Sequence, residues 1–128
     1  AVSEPAELVV DPDLVAQLLL GLLTNAAEAV ERDGAIELRA EASDGTARFE
    51  VADSGPGIAR EDAARIFEPF YTTKESGTGL GLAMTARIVD VHGGRIQVLH
   101  GKGAGPAGRG ACFRVELPQS GPGLEAAA

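Results

Sequence analysis

The chain of 128 residues has no tryptophan, one tyrosine and four phenylalanines, so aromatic residues make up only 4% of it. A core must therefore be built from Leu, Val, Ile and Ala, within a hydrophobic content of 45%. The single cysteine, Cys112, excludes an internal disulfide framework and fits a reducing compartment. Basic residues are few: 11 Lys and Arg stand against 19 Asp and Glu, for a formal net charge of −8. Phosphate backbones are held by basic patches, so a nucleic-acid-binding surface is not expected. No apolar run reaches the roughly 18 residues of a membrane span, and no charged-then-apolar leader opens the chain. No internal repeats are present. The expectation is a cytoplasmic, monomeric piece without membrane contact, compatible with a membrane sensor upstream in a longer protein.

The length suits one domain with a real core. Residues 1–6 read as a leader, 7–118 as the domain, and the Pro, Gly and Ala tail 119–128 as disordered, because it has nothing to bury. Glu7 to Val10 reads as a short strand, and Asp11-Pro12 as a helix start with Asp as N-cap. From Leu14, apolar residues keep helical spacing through Leu18, Leu22, Ala26 and Val30 as far as Arg32, and Asp33-Gly34 ends the helix. Ile36 to Ala42 and Ala47 to Val51 alternate apolar and polar around Asp44-Gly45, a hairpin signal. Arg60 to Ile66 reads as a short helix, and Gly79 to His92 as another that Gly93-Gly94 stops. Arg95 to Leu99 and Ala111 to Leu117 read as strands, joined by the Gly-rich segment His100 to Gly110, read as a mobile hairpin loop. Elements in this order predict an α+β, two-layer α/β sandwich: a mixed, mostly antiparallel sheet packed on one face by about three helices.

The chemistry centres on Gly77-Thr78-Gly79-Leu80-Gly81-Leu82, which runs straight into the apolar segment Ala83 to Val91. Glycine at every second position lets backbone approach a ligand and aims free amides at it, so an anion such as phosphate is expected there. The spacing is neither the dinucleotide fingerprint nor the P-loop. Three other segments accompany the loop. Asn25 lies on the first helix, Asp53-Ser54-Gly55-Pro56-Gly57 follows a strand pattern, and Phe67-Glu68-Pro69-Phe70 stands just before the loop. Together, in this order, they resemble the ATP-binding catalytic domain of sensor histidine kinases, in the superfamily of gyrase-type, chaperone and mismatch-repair ATPases with the Bergerat-type fold. The resemblance covers about residues 7 to 118. Tyr71-Thr72-Thr73-Lys74, two residues before Gly77, is similar to the short-lid kinases of the nitrogen-regulator type.

The resemblance implies ATP and Mg²⁺ as cofactors. Asn25 would hold Mg²⁺ through its amide oxygen, a ligand this hard cation favours, against the alternative of an amide capping nearby backbone. The carboxylate of Asp53 would accept from the exocyclic amine of adenine and reject a carbonyl at the same place, against the alternative of an Asp capping its own turn. Gly55, Gly57 and Ile58 would border the base. Phe70 and Thr73 would flank the nucleotide, and Lys74 would neutralise phosphate as a point charge, or stand solvated. Gly77, Thr78, Gly79, Leu80, Gly81 and Leu82 would cradle the phosphates, with residues 71 to 78 as the lid. Asn25 and Lys74 would serve the phosphoryl transfer.

Two positions depart from the family. Gly21 stands where the kinase pattern has a second Asn and the hydrolytic branch a Glu general base, so the base for hydrolysis is missing; close packing is one use for a glycine there. Gly110-Ala111-Cys112-Phe113 resembles the family's last box in its Gly and Phe, but Ala111 stands where a Thr or Ser helps bind adenine. Neither His92 nor His100 is followed by the pattern of a phospho-accepting histidine. His92 is placed to meet the last carbonyls of its helix. The acceptor histidine would therefore lie on dimerisation helices outside this sequence, with a response regulator receiver domain as the indirect partner. A docking module that has lost nucleotide binding, a serine-directed kinase and an ATPase of the same superfamily are the alternatives.

Overall fold

The computed structural model describes residues 10–30, 33–71 and 81–118, apart from the side chain of Ser43. Helix α1 spans Pro12–Ala29. Asp11 caps it as expected: its Oδ1 accepts from the Asp13 and Leu14 amides at 3.1 and 3.2 Å, and Pro12 takes the first helical position. The helix stops short of Arg32, because Val30 is already extended. A Cβ on Gly55 would lie 2.5 Å from the Ala29 carbonyl oxygen, so the turn after Asp53 is pressed against the helix terminus. The strand expected from Glu7 lies almost wholly outside the described residues.

Strands β1 (Ile36–Ser43) and β2 (Thr46–Asp53) form the anticipated hairpin, with Asp44 and Gly45 both at positive φ, +53° and +77°. Two left-handed residues match the twist of the flanking strands. A short helix α2 (Arg60–Ala63) follows, shorter than the run to Ile66 predicted from sequence and continued only by turns. Helix α3 spans Gly81–Val91, β3 is Arg95–Leu99, and β4 is Cys112–Pro118. The sheet order is β1-β2-β4-β3, and every pairing among the described residues is antiparallel.

Helices cover one face of this sheet. Leu18, Leu22 and Ala26 of α1 and Ile88 and Val89 of α3 pack with Val51, Phe113, Val115 and Leu117. Phe67 adds an edge-on contact to Phe113, with ring centroids 6.1 Å apart. Opposite, the sheet carries a charge lattice. Arg48 pairs with Glu41 and Glu116, at 3.0 and 3.1 Å, Glu116 also with Arg95 at 2.9 Å, and Arg114 with Glu50 at 2.8 Å. Polar residues alternate with apolar ones along each strand, which assigns the faces. No helix among the described residues is long and apolar enough to cross a membrane.

Candidate functional site

Two contacts fix the direction in which α3 crosses α1. At one, a Cβ on Gly21 would lie 2.7 Å from the Thr85 hydroxyl oxygen. At the other, the Asp11 amide donates to Nε2 of His92 at 3.2 Å. The helices therefore run antiparallel, and the N-terminus of α3 at Gly81 lies toward the end of α1 that carries Asn25. Thr85 donates its hydroxyl proton to the Gly81 carbonyl, 3.0 Å away, so the side chain that excludes a Cβ at position 21 also ties down the first turn of α3. The glycine at 21 serves close helix packing.

His92 is 1% exposed. Its Nε2 accepts from Asp11, so Nδ1 carries the proton and donates to the Ile88 carbonyl at 2.9 Å. The expected helix-end role holds, and the ring also fastens the start of α1.

Asp53 ends β2 on the helix-covered face and is 1% exposed. Its Oδ1 accepts from the Gly55 amide at 2.9 Å and from the Ala111 amide at 3.2 Å, leaving Oδ2 without a hydrogen bond to any described residue. Its backbone is held as tightly. The Asp53 amide donates to the Ala111 carbonyl at 2.8 Å, and the Asp53 carbonyl accepts from Ala104 at 2.9 Å. Ser54 secures the adjoining chain, accepting from the Ala35 amide at 2.8 Å through its hydroxyl and donating its own amide to the Ala35 carbonyl at 3.0 Å. Gly57 has φ +82°, a backbone that side-chain-bearing residues rarely adopt, and Ile58 packs against the core. Between this turn and the β3–β4 loop lies a cleft of about 410 Å³ lined by Gly57, Ile58, Gly110 and Ala111 among others. A larger concavity of about 700 Å³ sits on the charged face between Glu37 and Arg114, away from Asp53.

Asn25 is half-buried on α1, with Glu28 exposed one turn on. Phe70 is 75% exposed and sits at φ +68°, a costly conformation for an aromatic residue. Tyr71 is held back against α2, where its hydroxyl donates to Asp62 and the Arg65 guanidinium lies 4.5 Å from its ring centre. That hydrogen bond to Asp62 is the main cause that raises the Tyr71 phenol above its ordinary value. Leu82 packs on the core from the first turn of α3, beside the exposed Gly81. Thr73, Lys74, Gly77, Thr78, Gly79 and Leu80 lie outside the described residues.

The structure thus joins the Asp53 turn to the end of α1 and brings Asn25 to the same end as Gly81. It adds residues that were not placed in the site from sequence. Gly110, at φ +109°, has no room for a Cβ, which would collide with the Asp53 carbonyl oxygen. Its place in a family-like Gly-Ala-Cys-Phe run was the available signal. Ser54 and Ala104 act through contacts that no local pattern announces. The β3–β4 segment, expected to be a mobile hairpin loop, is instead laced by its own bonds, Gly103 amide to Gly108 carbonyl and Gly105 amide to Arg109 carbonyl, each 2.9 Å.

A buried carboxylate at a strand end, beside glycine turns and two antiparallel helices, is the frame of a nucleotide-binding sandwich. Residues 10–121 match the family model described as histidine kinase-, DNA gyrase B- and HSP90-like ATPase, and the chain belongs to that family, as an ATPase domain of the sensor histidine kinase kind. It is 45% identical over 112 residues to the sensor histidine kinase ZraS of Escherichia coli O157:H7, covering 88% of this chain but 23% of ZraS. Among solved structures, the nucleotide-free catalytic domain of histidine kinase ThkA superimposes with a TM-score of 0.81 at 34% identity, covering 95% of this chain and 77% of that one. Full-length ShkA in complex with AMPPNP gives 0.78 at 42% identity, covering 92% and 24%. The chain thus spans about a quarter of the length of ZraS.

Proposed function

We propose that residues 7–118 form a catalytic domain that binds Mg-ATP and delivers the γ-phosphoryl group to a histidine on dimerisation helices elsewhere in a longer cytoplasmic or membrane-anchored kinase, from which a response regulator receives it. The observation that carries this is Asp53: a buried carboxylate whose Oδ1 is consumed by two backbone amides, so that Oδ2 is left to accept from the amine of adenine. Ile58 and Leu82 supply apolar walls, Gly55 and Gly57 let backbone pass close to the base, and Phe70 and Thr73 border the nucleotide. Gly77, Thr78, Gly79, Leu80 and Gly81 would offer amides to phosphate at the start of α3, where the helix dipole favours negative charge, with Lys74 adding a positive one. Phosphoryl transfer asks the chain mainly for this positioning and neutralisation.

The residues fit Mg²⁺. Asn25 carries an amide oxygen on α1, and this ion takes such oxygens together with phosphate oxygens. When bound, the ion neutralises charge on the transferring phosphate. Gly21 has a packing role against Thr85, a reason for glycine there that does not require the loss of nucleotide binding.

Calorimetric titration with a non-hydrolysable ATP analogue, with and without Mg²⁺ and against the GTP analogue, tests the proposal. Adenine-selective, metal-enhanced binding is expected. Absence of heat and of any thermal shift at millimolar nucleotide would leave the docking module.

A further inference from the structure

Resting on the reading of Asp53 as the adenine acceptor, we infer that the β3–β4 loop is a positioning clamp for that carboxylate, acting through the backbone amide of Ala104. Among the described residues, four hydrogen bonds hold Asp53. Three of them come from Gly55 and Ala111, which lie in its own turn and at the start of the neighbouring strand. The fourth comes from Ala104, in the middle of a loop that could have run free of the site. That amide meets the Asp53 carbonyl because the loop folds on itself: Gly103 donates to Gly108, and Gly105 to Arg109.

Glycines make the folding possible. A Cβ on Gly103 would collide with the Arg109 carbonyl oxygen, and one on Gly108, at φ +77°, with that of Gly101. Gly110 then returns the chain to β4 directly over the Asp53 carbonyl. With its amide, its carbonyl and Oδ1 all engaged, the Asp53 carboxylate has one orientation, and Oδ2 points where the Asp53 backbone aims it. Loss of the Ala104 bond frees the carbonyl of a buried residue, and the carboxylate loses its fixed bearing on the base. Ala104 does not line the cleft beside the Asp53 turn; it is a positioning residue for selectivity.

Ala104→Pro removes the donor, Ala104→Gly keeps it, and Gly108→Ala opens the loop at a residue that does not contact Asp53. For the folded variants, calorimetry would give dissociation constants for the ATP and GTP analogues with Mg²⁺, and for inorganic tripolyphosphate alone. Ala104→Pro and Gly108→Ala should weaken the ATP analogue about fivefold, the scale of one neutral hydrogen bond, and lower the ATP-to-GTP preference by the same factor. Tripolyphosphate binding should stay at the wild-type value, and Ala104→Gly should behave as wild type. A merely structural loop would shift all three ligands together or none. If Ala104→Pro does not fold, Gly108→Ala and the milder Gly105→Ala, whose Cβ would lie 3.0 Å from the Arg109 oxygen, carry the comparison. Wild-type selectivity in the folded variants overturns the clamp alone, whereas a wild-type chain that binds no nucleotide overturns the reading of the pocket and the clamp with it.

Discussion

At the residue scale, Asp53 and Gly110 depend on one another. Under the proposed function the carboxylate would read the base from a backbone held in place, and that hold requires a residue without Cβ at 110. Asp53→Asn keeps an oxygen for the Gly55 and Ala111 amides and turns an NH2 toward the adenine amine. Thermal stability should stay near wild type while affinity for the ATP analogue falls roughly tenfold to a hundredfold, the range for a hydrogen bond to a charged group. Equal affinity would remove Asp53 from the pocket. Gly110→Ala should act on the fold instead. The left-handed backbone alone costs about 1–3 kcal/mol, to which the collision with the Asp53 carbonyl adds, so the urea midpoint should drop sharply. Asp53 was legible from its place after a strand pattern and before glycines. Its amide partner Ala111 was legible only as a missing hydroxyl, because backbone hydrogen bonding leaves no mark on residue type.

At the scale of elements, the crossing of α1 and α3 rests on Gly21 and Thr85. Restoring the amide of the family pattern with Gly21→Asn brings a Cβ 2.7 Å from the Thr85 oxygen, and overpacking of this kind costs about 1–3 kcal/mol. A double-mutant cycle with Thr85→Ala should show a coupling of about 1 kcal/mol, the single Asn variant being destabilised and the double variant largely relieved. Additive effects would mean that the helices do not meet there. Periodicity located both helices, and Asp11 announced the start of α1. The early end at Ala29 escaped it; the turn at Gly55, remote in sequence, lies against that end.

At the scale of the whole molecule, the lattice on the open sheet face links strands that the core alone would leave polar and solvated. Glu116 sits between Arg95 and Arg48, and its hydrogen bonds to these two, Arg95 first, hold its carboxyl below the ordinary 4.5. Its contribution to stability is therefore full above that unfolded-state value and is lost as pH falls through the lower folded-state value. Wild type should exceed Glu116→Gln in urea midpoint at neutral pH, and the gap should close as the pH is lowered through and below 4.5. A gap independent of pH would assign the effect to packing. The exposed ends of the lattice are screened by salt, so the gap should also narrow at high ionic strength.

The sequence by itself determined the alternation that builds the strands, the Asp44-Gly45 hairpin and the glycine-rich entry to α3. These depend on side-chain polarity and on backbone freedom at single positions, which residue type records directly. It also determined the family, because residues of the binding motifs carry it. Tertiary structure decided what Gly21 is for, why Gly110 must be glycine, how His92 fastens the start of α1, and that the β3–β4 loop is laced onto Asp53. Each of these is a contact between segments distant in the chain, made by backbone atoms common to every residue or by the absence of a side chain. Only the folded arrangement brings such atoms within reach.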